Sequence, residues 1–162
     1  MPGETNEIVL IVNEKSHAVQ AAPDTPLLYI LRNELGLMSP HFGCGEEQCG
    51  ACMILIGDQA KPSCKLPVAT VGKARITTLE GLTAEGELHP VQQAFLDEQA
   101  SQCGYCLTGM VITTAALLWK TPHPSDRQIR EALDGNLCRC GAHARILRAV
   151  KRAEMLLSGV ED

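Results

Sequence analysis

Apolar and polar positions change rhythm about halfway along the chain. In the first half, EIVLIV (7–12) is apolar and β-branched, NEK suits a turn, and HAVQAA alternates as a returning strand would. Asp24, Thr25 and Pro26 predict a helix start, with Thr25 or Asp24 as cap and Pro26 in the first turn. Leu27, Leu28, Ile30, Leu31 and Leu35 supply its apolar face, and Gly36 is placed to stop it. MILI (53–56), GD and the stretch around Cys64 predict a hairpin, and RITTLEGL (75–82) predicts a last strand leading out.

From there the period is helical. HPVQQAFLDEQ spaces Val91, Ala94, Phe95 and Gln99 for a short amphipathic helix. CLTGMVITTAALLWK (106–120) is apolar nearly all round, as in a helix buried among others, with Met110, Leu117 and Trp119 expected in the core. Ser125 and Gln128 make a capping box for a third helix that stops before DGN. Residues 144–157 place Ile146, Leu147, Val150, Ala153, Leu156 and Leu157 on one stripe, with Gly159 beyond the end. The expected class is therefore α+β, sheet first and helices second. The domains are expected at 1–80 and 81–162, joined through EGLTAEGELHP (80–90).

Composition and charge narrow the function classes. The net charge of −5 disfavours a nucleic-acid partner or an anionic membrane surface. No apolar run is long and uniform enough to span a bilayer. MPGETNEIVL has no basic stretch followed by an apolar one, so no signal peptide is expected and folding is placed in the cytoplasm. Export to the periplasm alongside a partner is the alternative.

The chemistry lies in 8 cysteines, at 44, 49, 52, 64, 103, 106, 138 and 140. In a cytoplasmic chain such crowding points to metal ligands or redox chemistry before disulfides. Cys44, Cys49 and Cys52 form C-x4-C-x2-C with Cys64 further on, the spacing with which plant-type ferredoxins begin a 2Fe–2S site. Gly43, Gly45 and Gly50 are expected to let backbone N–H groups approach the sulfurs. Cys103 and Cys106 (C-x2-C) stand at the start of the long apolar helix, and Cys138 and Cys140 (C-x-C) just before the last one. Positive helix N-termini there are expected to favour thiolates. Two four-cysteine zinc sites would use the same count; C-x-C is an unusual zinc spacing, and the first loop matches a cluster loop. A thioredoxin-like reading of Cys103 and Cys106 lacks the preceding strand.

In CGEEQCGAC, QCGYC and NLCRCG, in that order, the chain resembles the small iron–sulfur subunit of molybdenum hydroxylases. This is the xanthine oxidase family, which includes carbon monoxide, isoquinoline, nicotinate and aldehyde dehydrogenases. The resemblance implies an N-terminal plant-type ferredoxin-like β-grasp domain followed by a C-terminal four-helix-bundle 2Fe–2S domain. It implies two 2Fe–2S clusters, one on Cys44, Cys49, Cys52 and Cys64, the other on Cys103, Cys106, Cys138 and Cys140. The implied partner is a large molybdopterin-binding subunit, whose cofactor would contact Gln102, Cys103 and Cys140. That subunit would hydroxylate an N-heterocycle or aldehyde with oxygen from water. The loop departs from the family's C-G-x-G-x-C at Glu47, which leaves the ligands intact. Relatives that pass electrons to a separate FAD subunit commonly close with C-R-C-T-G-Y. CRCGAHARI is more similar to the flavin-free type, which implies a c-type cytochrome as acceptor.

The other polar residues have plainer readings. His143 makes only half of a Rieske pattern and is expected to pack at a helix start. Arg145, Arg148, Lys151 and Arg152 read as a solvated helix face, with docking onto the large subunit second, and Arg139 could offset cluster charge. The rival function is a free-standing ferredoxin-like carrier, which would need only one exposed cluster. A structural zinc-binding interaction module is the third.

Overall fold

The computed structural model describes residues 5–83 and 86–159. The β-branched run forms β1 (Asn6–Val12) and the alternating one β2 (Lys15–Ala21), paired antiparallel. Asn13 and Glu14 join them with φ of 49° and 64°. Two left-handed residues in succession match the right-handed twist of a tight hairpin.

A second hairpin, β3 (Met53–Ile56) and β4 (Gln59–Pro62), follows the cysteine loop, and β5 (Arg75–Thr77) closes the sheet. The order is β2-β1-β5-β3-β4, with β5 parallel to β1 and antiparallel to β3. The predicted helix is short: α1 (Leu27–Tyr29) runs into a π-turn at Ile30–Glu34, and no side chain caps it. Leu27, Ile30 and Leu31 pack with Leu10, Val12, Ile54, Val68 and Ile76 in one core.

Alternation along β3 feeds two cores. Successive strand residues face opposite sides, so Ile54 joins the core under α1 and Leu55 joins the core of the helices. The sheet is thus buried on both faces at β3, where α4 (Leu107–Lys120) lies against it. Residues 79–82 are not the expected strand but a helical turn, α2 (Leu79–Leu82). Leu82 and Leu79 dip into the helical core, which a continued strand could not reach.

The remaining helices are α3 (Pro90–Asp97), α5 (Asp126–Leu133) and α6 (His143–Ser158). α3 and α5 each touch both α4 and α6. The Ser125–Gln128 capping box is present, and His89 and Gln92 form a second one at α3. Gly159, at φ 68°, ends α6 in the left-handed conformation that glycine adopts freely.

Three expected positions differ. Trp119 is 45 % exposed, in the last turn of α4, where the His89 ring meets it edge-on. His143 is exposed at the first turn of α6. The basic face of α6 is not merely solvated: Arg148 pairs with Glu98 at 2.9 Å and Arg152 with Asp97 at 2.7 Å, tying α6 to the end of α3. Each such exposed pair contributes about 0–1 kcal/mol, so they orient the helices more than they stabilise them.

Candidate metal centres

The structure brings the cysteines of each set near one another, and all eight thiols are free. In the first, the chain curls so that backbone N–H groups point at sulfur. Cys44 Sγ accepts from Glu46 and Gln48 N–H, and Cys49 Sγ from Cys44 N–H, each at 3.3 Å. The Glu46 N–H chiefly lowers the Cys44 thiol to about 7, against burial and with help from Gln48 and the Cys49 side chain. Cys64 is pushed up to about 11, first by burial and then by Cys52 beside it, although Glu47 N–H donates to it. Cys64 lies two residues beyond β4 rather than on it. Leu28 of α1 covers Cys52 and Cys64, and Ser63 fixes their spacing by donating through Oγ to Cys52 C=O at 2.8 Å.

Of the three loop glycines, one makes room for sulfur. A Cβ on Gly43 would stand 2.5 Å from Cys49 Sγ. On Gly50 it would strike Asn136 and the Gly135 carbonyl instead, and on Gly45 the Phe42 ring. Gly50 therefore serves contact with the helical half, a purpose the loop's own sequence does not disclose.

The second set lies where α4 and α6 begin. Cys106 is the N-cap of α4, and Cys138 and Cys140 precede α6. Tyr105 N–H foremost, with Cys140, lowers the Cys103 thiol. At Cys138 burial pushes up, but the N–H groups of Ala142, Cys140 and Gly141 and the Cys106 thiol prevail and lower it. Cys106 goes the other way, to about 12, because burial and the adjacent Cys138 outweigh the start of α4. The expectation that these positions favour thiolates thus holds at Cys103 and Cys138 and fails at Cys106. Gln102, Leu107 and Ala142 wall one small cavity together with all four cysteines.

Among the described residues no three His, Cys, Asp or Glu side chains converge to hold a single ion. The sulfurs stand in twos: Cys44 with Cys49 and Cys52 with Cys64, then Cys103 with Cys140 and Cys106 with Cys138. Each iron of a 2Fe–2S cluster takes two of the four cysteine thiolates. With N–H donors aimed at the anionic sulfurs, both donor sets fit that group.

A seam joins the two sets, and the sequence did not reveal it. Leu137 N–H donates to the Cys49 carbonyl at 2.9 Å, and Asn136 Nδ2 reaches the Gly50 carbonyl at 3.5 Å. Gly109, in the first turn of α4, lets that carbonyl in: a Cβ there would lie 1.9 Å from it. A glycine in an otherwise apolar helix was the available signal.

Fold and site together define an iron–sulfur protein with a ferredoxin-type sheet half and a helical cysteine-rich half. A family model described as a 2Fe–2S iron–sulfur cluster binding domain matches residues 10–76, and one described as a 2Fe–2S binding domain matches 78–151. The chain is 57 % identical to a nicotinate dehydrogenase subunit from Pseudomonas putida over 146 residues, 90 % of this chain and 93 % of that one. It is 47 % identical to the alpha subunit of isoquinoline 1-oxidoreductase of Brevundimonas diminuta over 147 residues, 90 % of this chain and 96 % of that one. In structure it matches a chain of quinoline 2-oxidoreductase from Pseudomonas putida 86 with TM-score 0.89 and 32 % identity, over 98 % of this chain and 100 % of that one. The chain belongs to the xanthine oxidase family of molybdenum hydroxylases, among its small iron–sulfur electron-transfer subunits.

Proposed function

We propose that this chain carries two 2Fe–2S clusters, one per cysteine set, and relays electrons from a molybdopterin centre in a large partner subunit to an external acceptor. The observation that carries this is the seam. One hydrogen bond connects the carbonyl of Cys49, in the first set, to the N–H of Leu137, the residue before Cys138 in the second. When bound, the clusters supply one-electron acceptance and release. The protein's part is to hold eight thiolates, aim N–H groups at sulfur, and keep the two sets in hydrogen-bonded register.

We assign the ferredoxin-like β-grasp domain to 1–80 and the helical domain to 81–162, as a four-helix bundle of α3 to α6. The separate cores and the contacts of each helix with two others support this. Gln102, Cys103 and Cys140 are the contacts with a pterin held by another chain; the exposure of Gln102 and Cys103 and the partial exposure of Cys140 support this reading. Cys44, exposed on the first loop, is the side toward the acceptor. The acceptor is a c-type cytochrome, supported by Gly141 in place of the threonine of the flavin-linked type; a separate FAD subunit is the other outcome. The relatives point to an N-heterocycle as substrate, with an aldehyde second, and we place the complex in the cytoplasm. Among the described residues no helix is long and apolar enough to cross a membrane.

Cys49→Ser in the purified complex tests the order. It should halve the iron and leave the pterin reducible by substrate while slowing reduction of the acceptor. Cys103→Ser should instead disturb the inner cluster and docking of the large subunit. If both variants assembled normally and lost only acceptor reduction, the assigned order would be wrong. Stoichiometric FAD in an active preparation would replace the cytochrome with the flavin subunit.

A further inference from the structure

The seam at Leu137 is not the only link between the two cysteine sets. His41 precedes Cys44 by three residues, and Tyr105 lies between Cys103 and Cys106. Their rings stack, with centroids 4.6 Å and planes 15° apart. His41 Nδ1 lies 2.8 Å from the Tyr105 carbonyl. A carbonyl can only accept, so Nδ1 carries the proton. The Tyr105 hydroxyl returns the contact by donating to the Phe42 carbonyl. His41 N–H donates to Ala51 C=O at 3.0 Å, which ties it to the far end of the loop carrying Cys44, Cys49 and Cys52. Tyr105 also stands two residues after Cys103 and one before Cys106, so holding it holds the backbone that carries both.

Burial does not explain this arrangement. Tyr105 is 50 % exposed, so half of the residue remains in water. Two reciprocal hydrogen bonds and a nearly parallel stack on a wet surface fix orientation, and what they orient is the backbone around Tyr105.

We propose that His41 and Tyr105 are positioning residues that clamp the two cluster-binding loops together, so that the first loop fixes the backbone from Cys103 to Cys106 and the N–H groups it offers to sulfur. This rests on the two-cluster reading above. N–H donors to a thiolate stabilise the more negative, reduced state of an iron–sulfur centre and so raise its potential. Loosening the clamp lets those N–H groups drift from the sulfurs and lowers the potential of the second cluster, although the altered residue lies in the first domain.

The test uses the purified complex with His41→Ala, Tyr105→Phe and His41→Asn. Cys49→Ser and Cys103→Ser assign each paramagnetic signal to its cluster. His41→Ala should lower the potential and alter the line shape of the signal that Cys103→Ser removes, with the iron content of wild type. Amide hydrogen exchange at residues 103–106 should quicken by about fivefold to tenfold, as loss of one net hydrogen bond implies. Tyr105→Phe keeps the stack and loses one hydrogen bond, so a smaller change in the same direction is expected. His41→Asn, whose Nδ2 can donate in place of Nδ1, should restore the signal in part. An unchanged signal, potential and exchange rate in His41→Ala would overturn the clamp. Should His41→Ala lose iron, Tyr105→Phe decides by the same readouts. If wild type lacks two signals, the two-cluster reading falls, and exchange at 103–106 still decides the clamp.

Discussion

Gly109→Ala tests the seam, because two well-understood effects give it opposite signs. Helix propensity alone predicts that alanine stabilises α4 by up to about 1 kcal/mol. The structure predicts the reverse. A Cβ at 109 would stand 1.9 Å from the Gly50 carbonyl oxygen, about 1.5 Å inside the 3.4 Å at which ordinary contact begins. The obstructing atom is backbone, so the loop must retreat as a whole. Its retreat pulls on Leu137 N–H at Cys49 C=O, one residue away. Overpacking of this kind costs about 1–3 kcal/mol, and the strained or lost hydrogen bond adds about 1 kcal/mol. The net expectation is destabilisation by about 1–3 kcal/mol. For a chain of this size that lowers the melting temperature by roughly 3–10 °C. Thermal unfolding of the cluster-loaded protein by circular dichroism reads this directly, and stopped-flow reduction reads transfer between the clusters, which should slow. A melting temperature that rises, with transfer unchanged, would refute the seam as the contact that sets the two halves in register.

The other predictions follow from single residues. Glu47 sits at φ 60° where the family's loop favours glycine, so Glu47→Gly should stabilise the chain by about 1 kcal/mol in denaturant unfolding, with both cluster signals kept. Exposed Glu80 accepts from Met38 and Ser39 N–H and from the Ser39 and Thr78 hydroxyls; partial desolvation raises its pKa, but the bonds from Ser39 and Thr78 prevail and lower it below the ordinary 4.5. A depressed carboxyl stabilises above its unfolded pKa and loses that contribution as pH falls through the folded one. Glu80→Gln should therefore flatten the acid side of the stability profile below about pH 4.5, and an unchanged profile would contradict the assignment.

Much of this molecule was legible in the sequence, and the reason is local. The Ser125 capping box, the turn at Asn13 and Glu14, the Gly159 stop and the grouping of cysteines by spacing each depend on residues a few positions apart. What was missed depends on distance along the chain. Trp119 read as core because α4 is apolar all round, and only the lengths of its neighbours decide that its last turn emerges. Cys106 read as a thiolate because it starts a helix, whereas its burial comes from elements far away in sequence. Gly50 read as clearance for sulfur, whereas it meets Asn136 and Gly109 from the other half. RITTLEGL read as one strand because β-branched residues dominate its start, while Leu79 and Leu82 turn away into the helical core.

The most direct test of the central claim is metal and acid-labile sulfide analysis of the purified, anaerobically reduced protein, together with its paramagnetic spectrum. Two 2Fe–2S centres on unlike scaffolds predict about four irons and four sulfides per chain and two distinguishable signals. Zinc in place of iron, or a single signal with half the iron, would contradict it.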